Sequence, residues 1–360
     1  MTLKKMKTLF LVPELAKPGG VANYYLSMEK SLKDKVGARY FVRGSRKGSN
    51  VASQIFIYLI DYFRFCLEVI FGNYNVFVVN TSFGKSGCLR DSVFILILRL
   101  FKKKFIVFFR GWDEAYEPEF ILKKYNFLLK GFLKPNMIIV LSSNIKNKLK
   151  NWGYNGKIHL ETTAVDDKLL ELQTDNLIVD DKLDLLFMSR VEKEKGIYYC
   201  IELHKELKKV FPKARLLVAG TGSEIEKIKK IANNKSGIVL YGYASGETKA
   251  KILSNSDFFL FPSTHGEGMP NAVLEAMAFG LPVLTTKCNG ISDFFEENKM
   301  GYFIDDLTIE NLSCIKEKIL ELKSDHNKYK AICSFNKQYA QNRFLAPKIS
   351  ERLFNILSSA

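Results

Sequence analysis

The stretch HGEGMPNAVLEAMAFGLPV, residues 265–283, sets two carboxylates, Glu267 and Glu275, eight positions apart. Glu267 sits between glycines in a loop, whereas Glu275 falls inside a small-residue, apolar segment that reads as a helix from about Pro270 to Phe279. Pro270 suits the first helical turn, Gly280 the left-handed position past the end, and Pro282 blocks continuation. The positive end of that helix then lies at Gly268, Met269, Pro270 and Asn271. Carboxylates accept hydrogen bonds from sugar hydroxyls, while N–H donors and positive charge suit a leaving diphosphate. One loop and helix can therefore serve both ends of an activated sugar. A lone helix glutamate is ordinarily just solvated, but that plain reading leaves the glycines, Glu267 and the spacing unexplained together.

Other residues could join this chemistry. The apolar run LDLLFMS ends at Arg190, and Lys195-Gly196 follows five residues later. Two cations at a strand exit can neutralise a diphosphate, although VEKEKG also reads as a solvated turn of alternating charge. The pair Gly19-Gly20 in PELAKPGGVANYY opens a helix and offers free N–H groups to an anion; the bland alternative is a tight turn. GTGSEI lacks the third glycine of a dinucleotide fingerprint and carries little weight. The six cysteines show no CxxC spacing and His is scarce, so neither a zinc site nor a disulfide framework is indicated.

The elements that must hold these residues are short, almost wholly apolar runs alternating with helix-length amphipathic segments. KTLFLV, ARYFVRG, NVFVVN, KFIVFFRG, MIIVLS and KIHLETTAV form a first set; LDLLFMSR, ARLLVAG, GIVLYGY, DFFLFPS, PVLTT and GYFID form a second. That rhythm predicts parallel sheets covered on both faces, in two doubly wound α/β domains facing each other across a cleft. We place the first at 1–170, a polar linker at 171–182 and the second at 183–360. Whether the helical last 50 residues pack back on the first domain stays open.

The net charge of +16 is unevenly spread, because residues 1–170 hold 28 Lys+Arg against 13 Asp+Glu and the remainder is nearly balanced. FKKKFIVFFR, EFILKKYNFLLKGFLKPN and NIKNKLKNW interleave Lys with apolar residues, so an anionic membrane surface is an expected partner of the first half. The start MTLKKMKTLFLVPELAKPGG mimics a signal peptide, but its apolar run stops at Pro13 and reads as a first buried strand. VASQIFIYLIDYFRFCLEVIFG is interrupted by Asp61, Arg64 and Glu68, and SVFILILRLFKKK is too short to span a bilayer. The expected location is cytoplasmic, peripheral on the inner face of the membrane.

The block FPSTHGEGMPNAVLEAMAFGLPVLTTKCNGISDFFEENKMGYFI resembles the signature of glycosyltransferase family 4, retaining enzymes of GT-B fold. FMSRVEKEKGI is similar to the family's Arg, four residues, Lys-Gly element, and PGGVANYY to its N-terminal Gly-Gly loop. The resemblance implies that Arg190 and Lys195 hold the donor diphosphate with backbone groups around Gly196, Met269–Asn271 and Gly19-Gly20. It also implies that Glu275 accepts from the nucleotide ribose and that Glu267 faces the donor sugar. Catalysis is then expected from Glu267, Arg190 and Lys195, with a nucleotide-sugar donor, a saccharide or lipid-linked saccharide acceptor, and neither cofactor nor metal. Cell-surface polysaccharide or glycolipid assembly is the expected setting.

The chain departs from the family where many members carry a His-Gly or His-Asp pair, because Arg110-Gly111 stands there. Arg110, Trp112 and Asp113 are candidate acceptor or sugar contacts; the plain alternative makes Asp113 a helix N-cap. KCNGISD also carries Asn289 and Asp293 where Gly and Glu are frequent. Two rival functions are a nucleotide-sugar epimerase of the same fold and a basic nucleic-acid-binding protein. The second lacks any basic–aromatic recognition module, so no nucleic-acid partner is expected.

Overall fold

The computed structural model describes residues 6–16, 19–44, 51–123, 126–174, 182–232, 236–264, 268–287 and 290–360, with residues 51–53 by backbone alone. Two compact units emerge. One comprises Met1–Ala164, Gly266–Met269 and Ala346–Ala360; the other comprises Val165–His265 and Pro270–Leu345.

In the first unit the strands are β1 (Thr8–Val12), β2 (Arg39–Val42), β3 (Val76–Phe83), β4 (Phe105–Trp112), β5 (Met137–Val140) and β6 (Lys157–Leu160). They form a sheet of order β2-β1-β3-β4-β5-β6, with every pairing parallel. β-Branched and aromatic residues make these runs extended, and helices on both faces leave no polar side to the central strands. β1 is buried along its whole length. Val107, Phe109, Phe77, Val79, Ile138 and Val140 join the core on one face of the sheet.

The second unit repeats the plan with β7 (Asp184–Met188), β8 (Arg215–Ala219), β9 (Ile238–Gly242), β10 (Phe258–Phe261), β11 (Val283–Thr285) and β12 (Gly301–Phe303). Its order is β12-β11-β10-β7-β8-β9, again parallel throughout. Leu185, Phe187, Leu216, Val218, Phe258 and Leu260 fill its core. The two doubly wound sheets are those expected from the alternating runs.

Not every Lys-interleaved segment is a surface. Phe105, Phe108 and Phe109 of FKKKFIVFFR are buried in β4, because strand pairing on both sides outweighs the neighbouring charges. Ile121, Leu122 and Phe127 of EFILKKYNFLLKGFLKPN are exposed, and a longer exposed apolar face lies on the helix Val51–Phe71, at Ile55, Phe56, Leu59, Ile60, Phe63, Leu67, Ile70 and Phe71. Phe65 and Val69 of the same helix are fully buried, and Asp61 accepts the Gly44 N–H at 3.0 Å. Among the described residues no helix is long and apolar enough to cross a membrane.

The helix Ala346–Ser358 completes the first unit by burying Ile349, Leu353 and Leu357. Arg352 Nη2 donates to Glu161 Oε1 at 2.7 Å, its Nε reaches both carboxylate oxygens at 3.2 Å, and Glu161 is only 3% exposed. The Ser31 and Ser350 hydroxyls lie 2.7 Å apart on the same contact. Removing one partner strands a buried carboxylate. Arg352→Ala is therefore expected to lower the unfolding free energy by about 1–3 kcal/mol, and Arg352→Lys by less, as read from urea-unfolding midpoints at an unchanged slope.

Candidate active site

In an open parallel sheet, ligands meet the carboxyl ends of the strands where the strand order reverses. In the second unit that point falls between β7 and β10, since the chain runs outward through β8 and β9 on one side and through β11 and β12 on the other. The sequence candidates of this unit gather there. Arg190 follows β7 with a side chain 60% exposed, its Nη1 donating to Glu192 Oε1 at 2.9 Å. Lys195 closes a 3-10 turn, Lys193–Lys195, and is only 3% exposed. A solvated turn does not bury a lysine, so the plain reading of VEKEKG fits Lys193 but not Lys195.

Gly196 makes this turn possible. Its φ is +76°, and a Cβ there would meet the Pro262 carbonyl oxygen at 2.2 Å. Only glycine lets the backbone after β7 lie against the backbone after β10 in the left-handed conformation. The Thr264 N–H and hydroxyl both donate to the Glu194 carbonyl, at 2.9 and 3.2 Å, and tie the two strand exits together.

The helix after β10 spans Asn271–Ala278, one residue shorter at each end than the sequence suggests, with Pro270 as its N-cap. Gly280 has φ +88° and ends the helix as expected. Val273, Leu274, Ala276, Met277 and Ala278 are buried, and so is Glu275 at 7% exposure. Gly268, Met269 and Pro270 are buried just ahead of it. Glu267, and with it Asn289 of the signature block, lies outside the described residues.

The carboxylate inside this apolar helix has a partner that the sequence did not disclose. Lys249 Nζ, from the helix Gly246–Ser254, reaches Glu275 Oε1 at 2.9 Å and Oε2 at 3.0 Å. The ammonium neutralises a buried charge while leaving the remaining oxygen lone pairs as acceptors for a ligand hydroxyl. Lys249 lies in GETKAKIL, a segment with no motif; only the packing of two helices reveals it.

The first unit reverses its strand order between β1 and β3. A cavity of about 340 Å³ opens there, lined by Gly19 and Gly20, by Asn80 and Ser82 of β3, and by Arg43, Arg90 and Arg110. Gly19 caps the helix Gly20–Ser27, and nothing stands within 4 Å of where a Cβ on either glycine would be. Arg110 stacks on Tyr24 at 3.9 Å and on Phe108 at 4.4 Å. Burial pushes the Tyr24 and Tyr25 phenols up, Tyr25 to about 12, against the pull of the Arg110 guanidinium.

Trp112 and Asp113 do not join this cavity. Trp112 is 4% exposed, stacks on Phe83 at 4.0 Å, and donates its indole N–H to Glu117 at 2.6 Å. Asp113 caps the turn Glu114–Tyr116 by accepting from the Ala115 N–H at 3.1 Å. Both act in the structure of the unit, Trp112 because an indole beside Phe83 and Trp152 gains more by burial than by exposure. Among the described residues no group of three or more His, Cys, Asp or Glu could hold a metal ion.

Known proteins place this arrangement. Solved structures of similar fold include sucrose-phosphate synthase from Thermosynechococcus elongatus, at TM-score 0.73 and 13% identity over 99% of each chain. Anabaena HepE in complex with UDP-glucose gives TM-score 0.72 and 16% identity over 99% of this chain and 100% of that one. The fold is GT-B, the two-unit Rossmann-like architecture of one large class of glycosyltransferases.

Residues 170–338 match the family described as Glycosyl transferases group 1. The chain is 25% identical over 321 residues to an uncharacterized glycosyltransferase of Methanocaldococcus jannaschii, covering 83% of this chain and 80% of the relative. It is 26% identical over 234 residues to the capsular polysaccharide biosynthesis glycosyltransferase CapM of Staphylococcus aureus, covering 64% of this chain and 57% of that protein. Residues 170–338 are thus similar to the group 1 glycosyltransferases, in the same stretch whose motifs resemble family 4.

Gly196→Ala tests the turn that presents Lys195. The left-handed φ and the 2.2 Å approach to Pro262 predict a loss of stability of about 1–3 kcal/mol and a displaced Lys195. Thermal unfolding and nucleotide-diphosphate titration should both register the change.

Proposed function

We propose that this chain transfers a sugar from a nucleotide-sugar donor to an acceptor hydroxyl with retention of anomeric configuration. The observation that carries the reading is the set of groups at the β7–β10 switch point. There Arg190, the buried Lys195 and the N-terminus of the helix Asn271–Ala278 face one strand end, with Glu275 one turn further along. Arg190, Lys195 and helix N–H groups would carry the negative charge that grows on a leaving diphosphate. The reaction then needs no divalent ion, and unchanged turnover in excess chelator is the corresponding expectation.

Glu275 would accept from the nucleotide ribose, sharing its oxygens with Lys249. Glu267 enters on the sequence alone, facing the donor sugar where positive charge develops at the anomeric carbon. The capsular polysaccharide name of one relative and the UDP-glucose bound by one structural neighbour support a nucleotide-sugar-dependent enzyme of cell-surface polysaccharide assembly.

A thermal-shift screen of nucleotide sugars identifies the donor, since a ligand at about 100 times its dissociation constant adds about 2.7 kcal/mol. With that donor, Arg190→Ala and Lys195→Ala should lower kcat more than they weaken donor binding, by about tenfold or more. Glu275→Gln should weaken nucleotide-diphosphate binding by about 1–3 kcal/mol, and Glu267→Gln should cut turnover while the diphosphate still binds. Normal nucleotide affinity in Glu275→Gln together with parental turnover in Glu267→Gln would refute the assignment. Donor isomerisation without any acceptor would instead favour an epimerase.

We also propose that the first unit docks on an anionic membrane surface through the helix Val51–Phe71. Its exposed residues cover an arc of about 160° at 100° per residue, with Phe56, Phe63 and Phe71 at 65%, 67% and 79% exposure. A groove beside the helix end is lined by Lys7, Arg39 and Arg64 together with Leu67 and Phe71. Aromatic and aliphatic side chains enter the interface while each nearby cation adds about 1 kcal/mol against anionic lipid. The parent should sediment with phosphatidylglycerol vesicles but not with phosphatidylcholine vesicles at low salt, and Phe56→Asp/Phe63→Asp should stay in the supernatant with an unchanged unfolding temperature. Equal sedimentation with both vesicle types sinks this reading. So does a concentration-dependent dimer that the double substitution abolishes, because a second copy would then cover the face.

A further inference from the structure

The amino ends of the first sheet carry a groove that the transfer chemistry leaves unused. In a parallel sheet every amino end lies along one edge, opposite the carboxyl ends where ligands of such sheets ordinarily bind. Lys7, just ahead of β1, and Arg39, the first residue of β2, line this groove with Arg64, Leu67, Glu68 and Phe71 of the helix Val51–Phe71. Its volume of about 610 Å³ lies within the ordinary range for a small-molecule site.

Charge in the groove is not balanced. The Lys7 N–H donates to Asn75 Oδ1 at 2.9 Å and its carbonyl accepts the Asn75 N–H at 2.8 Å, which fixes the backbone behind an exposed ammonium. Arg39 is exposed as well, and neither cation forms an ion pair among the described residues. Glu68, the one acid of the lining among the described residues, is already engaged, because its Oε2 accepts the Tyr74 hydroxyl at 2.8 Å. Burial and Glu68 push the Tyr74 phenol up while Arg39 pulls it back, so the Arg39 guanidinium stands beside the same hydroxyl. Arg64 lies 5.5 Å from the centre of the Phe41 ring and 3.5 Å from Asp61 Oδ1, on an acid that also accepts the Gly44 N–H.

Part of the lining is apolar. Leu67 and Phe71, four positions apart on one helix face, belong both to the groove and to the exposed arc, so the groove opens onto that arc. A free phosphate would satisfy the cations and leave these two side chains in water. A phospholipid satisfies both, since its phosphodiester meets the cations while its acyl chains cover Leu67 and Phe71. With Glu68 bonded to Tyr74, a headgroup ammonium gains less here than a phosphate does, so a headgroup of net negative charge is preferred.

We propose that this groove is a site for one anionic phospholipid, its phosphodiester held by Lys7, Arg39 and Arg64 and its chains leaving over Leu67 and Phe71. The proposal rests on the membrane-docking reading above and sharpens it. A charged surface attracts many lipids at once, whereas the groove holds a single one by its headgroup.

The test is calorimetric titration of the full chain with dihexanoyl-phosphatidylglycerol and dihexanoyl-phosphatidylcholine, kept monomeric below their micellar concentrations, and with glycerol 3-phosphate. The parent should bind one phosphatidylglycerol per chain, at least about tenfold more tightly than either of the others. Lys7→Gln/Arg39→Gln should weaken that binding by about tenfold or more at an unchanged unfolding temperature. Arg39→Gln alone should weaken it by less, and serves if the double variant fails to fold. Lys205→Gln/Lys229→Gln removes the same charge from exposed positions of the other unit and should stay within about twofold of the parent.

Three results overturn the site: binding that does not saturate at one lipid per chain, phosphatidylcholine or glycerol 3-phosphate binding as tightly as phosphatidylglycerol, or equal losses in the groove and control pairs. A parent that sediments with phosphatidylglycerol vesicles yet binds no monomeric lipid loses the site and keeps the docking. Phe56→Asp/Phe63→Asp, outside the groove lining, should leave the vesicles and still bind the monomer. A parent that binds the monomer but never sediments keeps the site and refutes the docking.

Discussion

A parallel strand with a neighbour on each side and helices over both faces meets solvent only at its ends. That constraint governs both units of this chain. β1, β3, β7 and β10 spend their side chains on the core and their backbone groups on pairing, so chemistry can be hosted only by the residues just past them. The order reversals at β1–β3 and β7–β10 then decide which ends diverge enough to leave room. Glycines at 19, 20 and 196 and cations at 43, 190 and 195 fall just past strands that flank one of these reversals or pair beside it, or at a helix start that follows one, and Arg110 lies near the carboxyl end of β4.

Buried charge near the two order reversals is handled in two ways. In the second unit Glu275 is matched one-to-one by Lys249, so that the acid costs little where it stands. In the first unit Asp91 is shared by Arg43 and Arg90, and the Arg110 guanidinium lies against two aromatic rings, Tyr24 and Phe108. Stacking stabilises a guanidinium without using its N–H groups. The first arrangement is settled without a ligand; the second keeps donors in reserve.

Most of the architecture was readable from the chain because apolar runs such as TLFLV and FFLF permit few structures other than buried strands. The helix around Glu275 was legible from Pro270 and Gly280, whose backbone preferences act locally. Residues joined only by tertiary packing were not legible. Lys249 meets Glu275 across 26 positions, and Arg43 meets Asp91 across 48, with nothing in either neighbourhood to announce the pairing. Trp112 and Asp113 have local partners at Glu117 and Ala115, the second being the N-cap alternative legible in the sequence and the first a contact it did not disclose. Of the segments where Lys and apolar residues alternate, the one in β4 reports pairing and burial, the one at Ile121, Leu122 and Phe127 has exposed apolar side chains, and a longer exposed arc sits on the helix Val51–Phe71.

The helix Ala346–Ser358 belongs to the unit that begins the chain, and its Arg352 closes on Glu161 from a distance of 191 residues. During synthesis, Ala164 leaves the ribosome well before Ala346, with residues 165–345 in between. At typical elongation speeds that interval lasts roughly 10–35 s. Throughout it, Glu161 and the apolar surface that later receives Ile349, Leu353 and Leu357 lack their cover. The nascent first unit must wait, nearly complete, for a piece that is translated only after the whole of its neighbour, which makes this seam the natural place for a chaperone to hold.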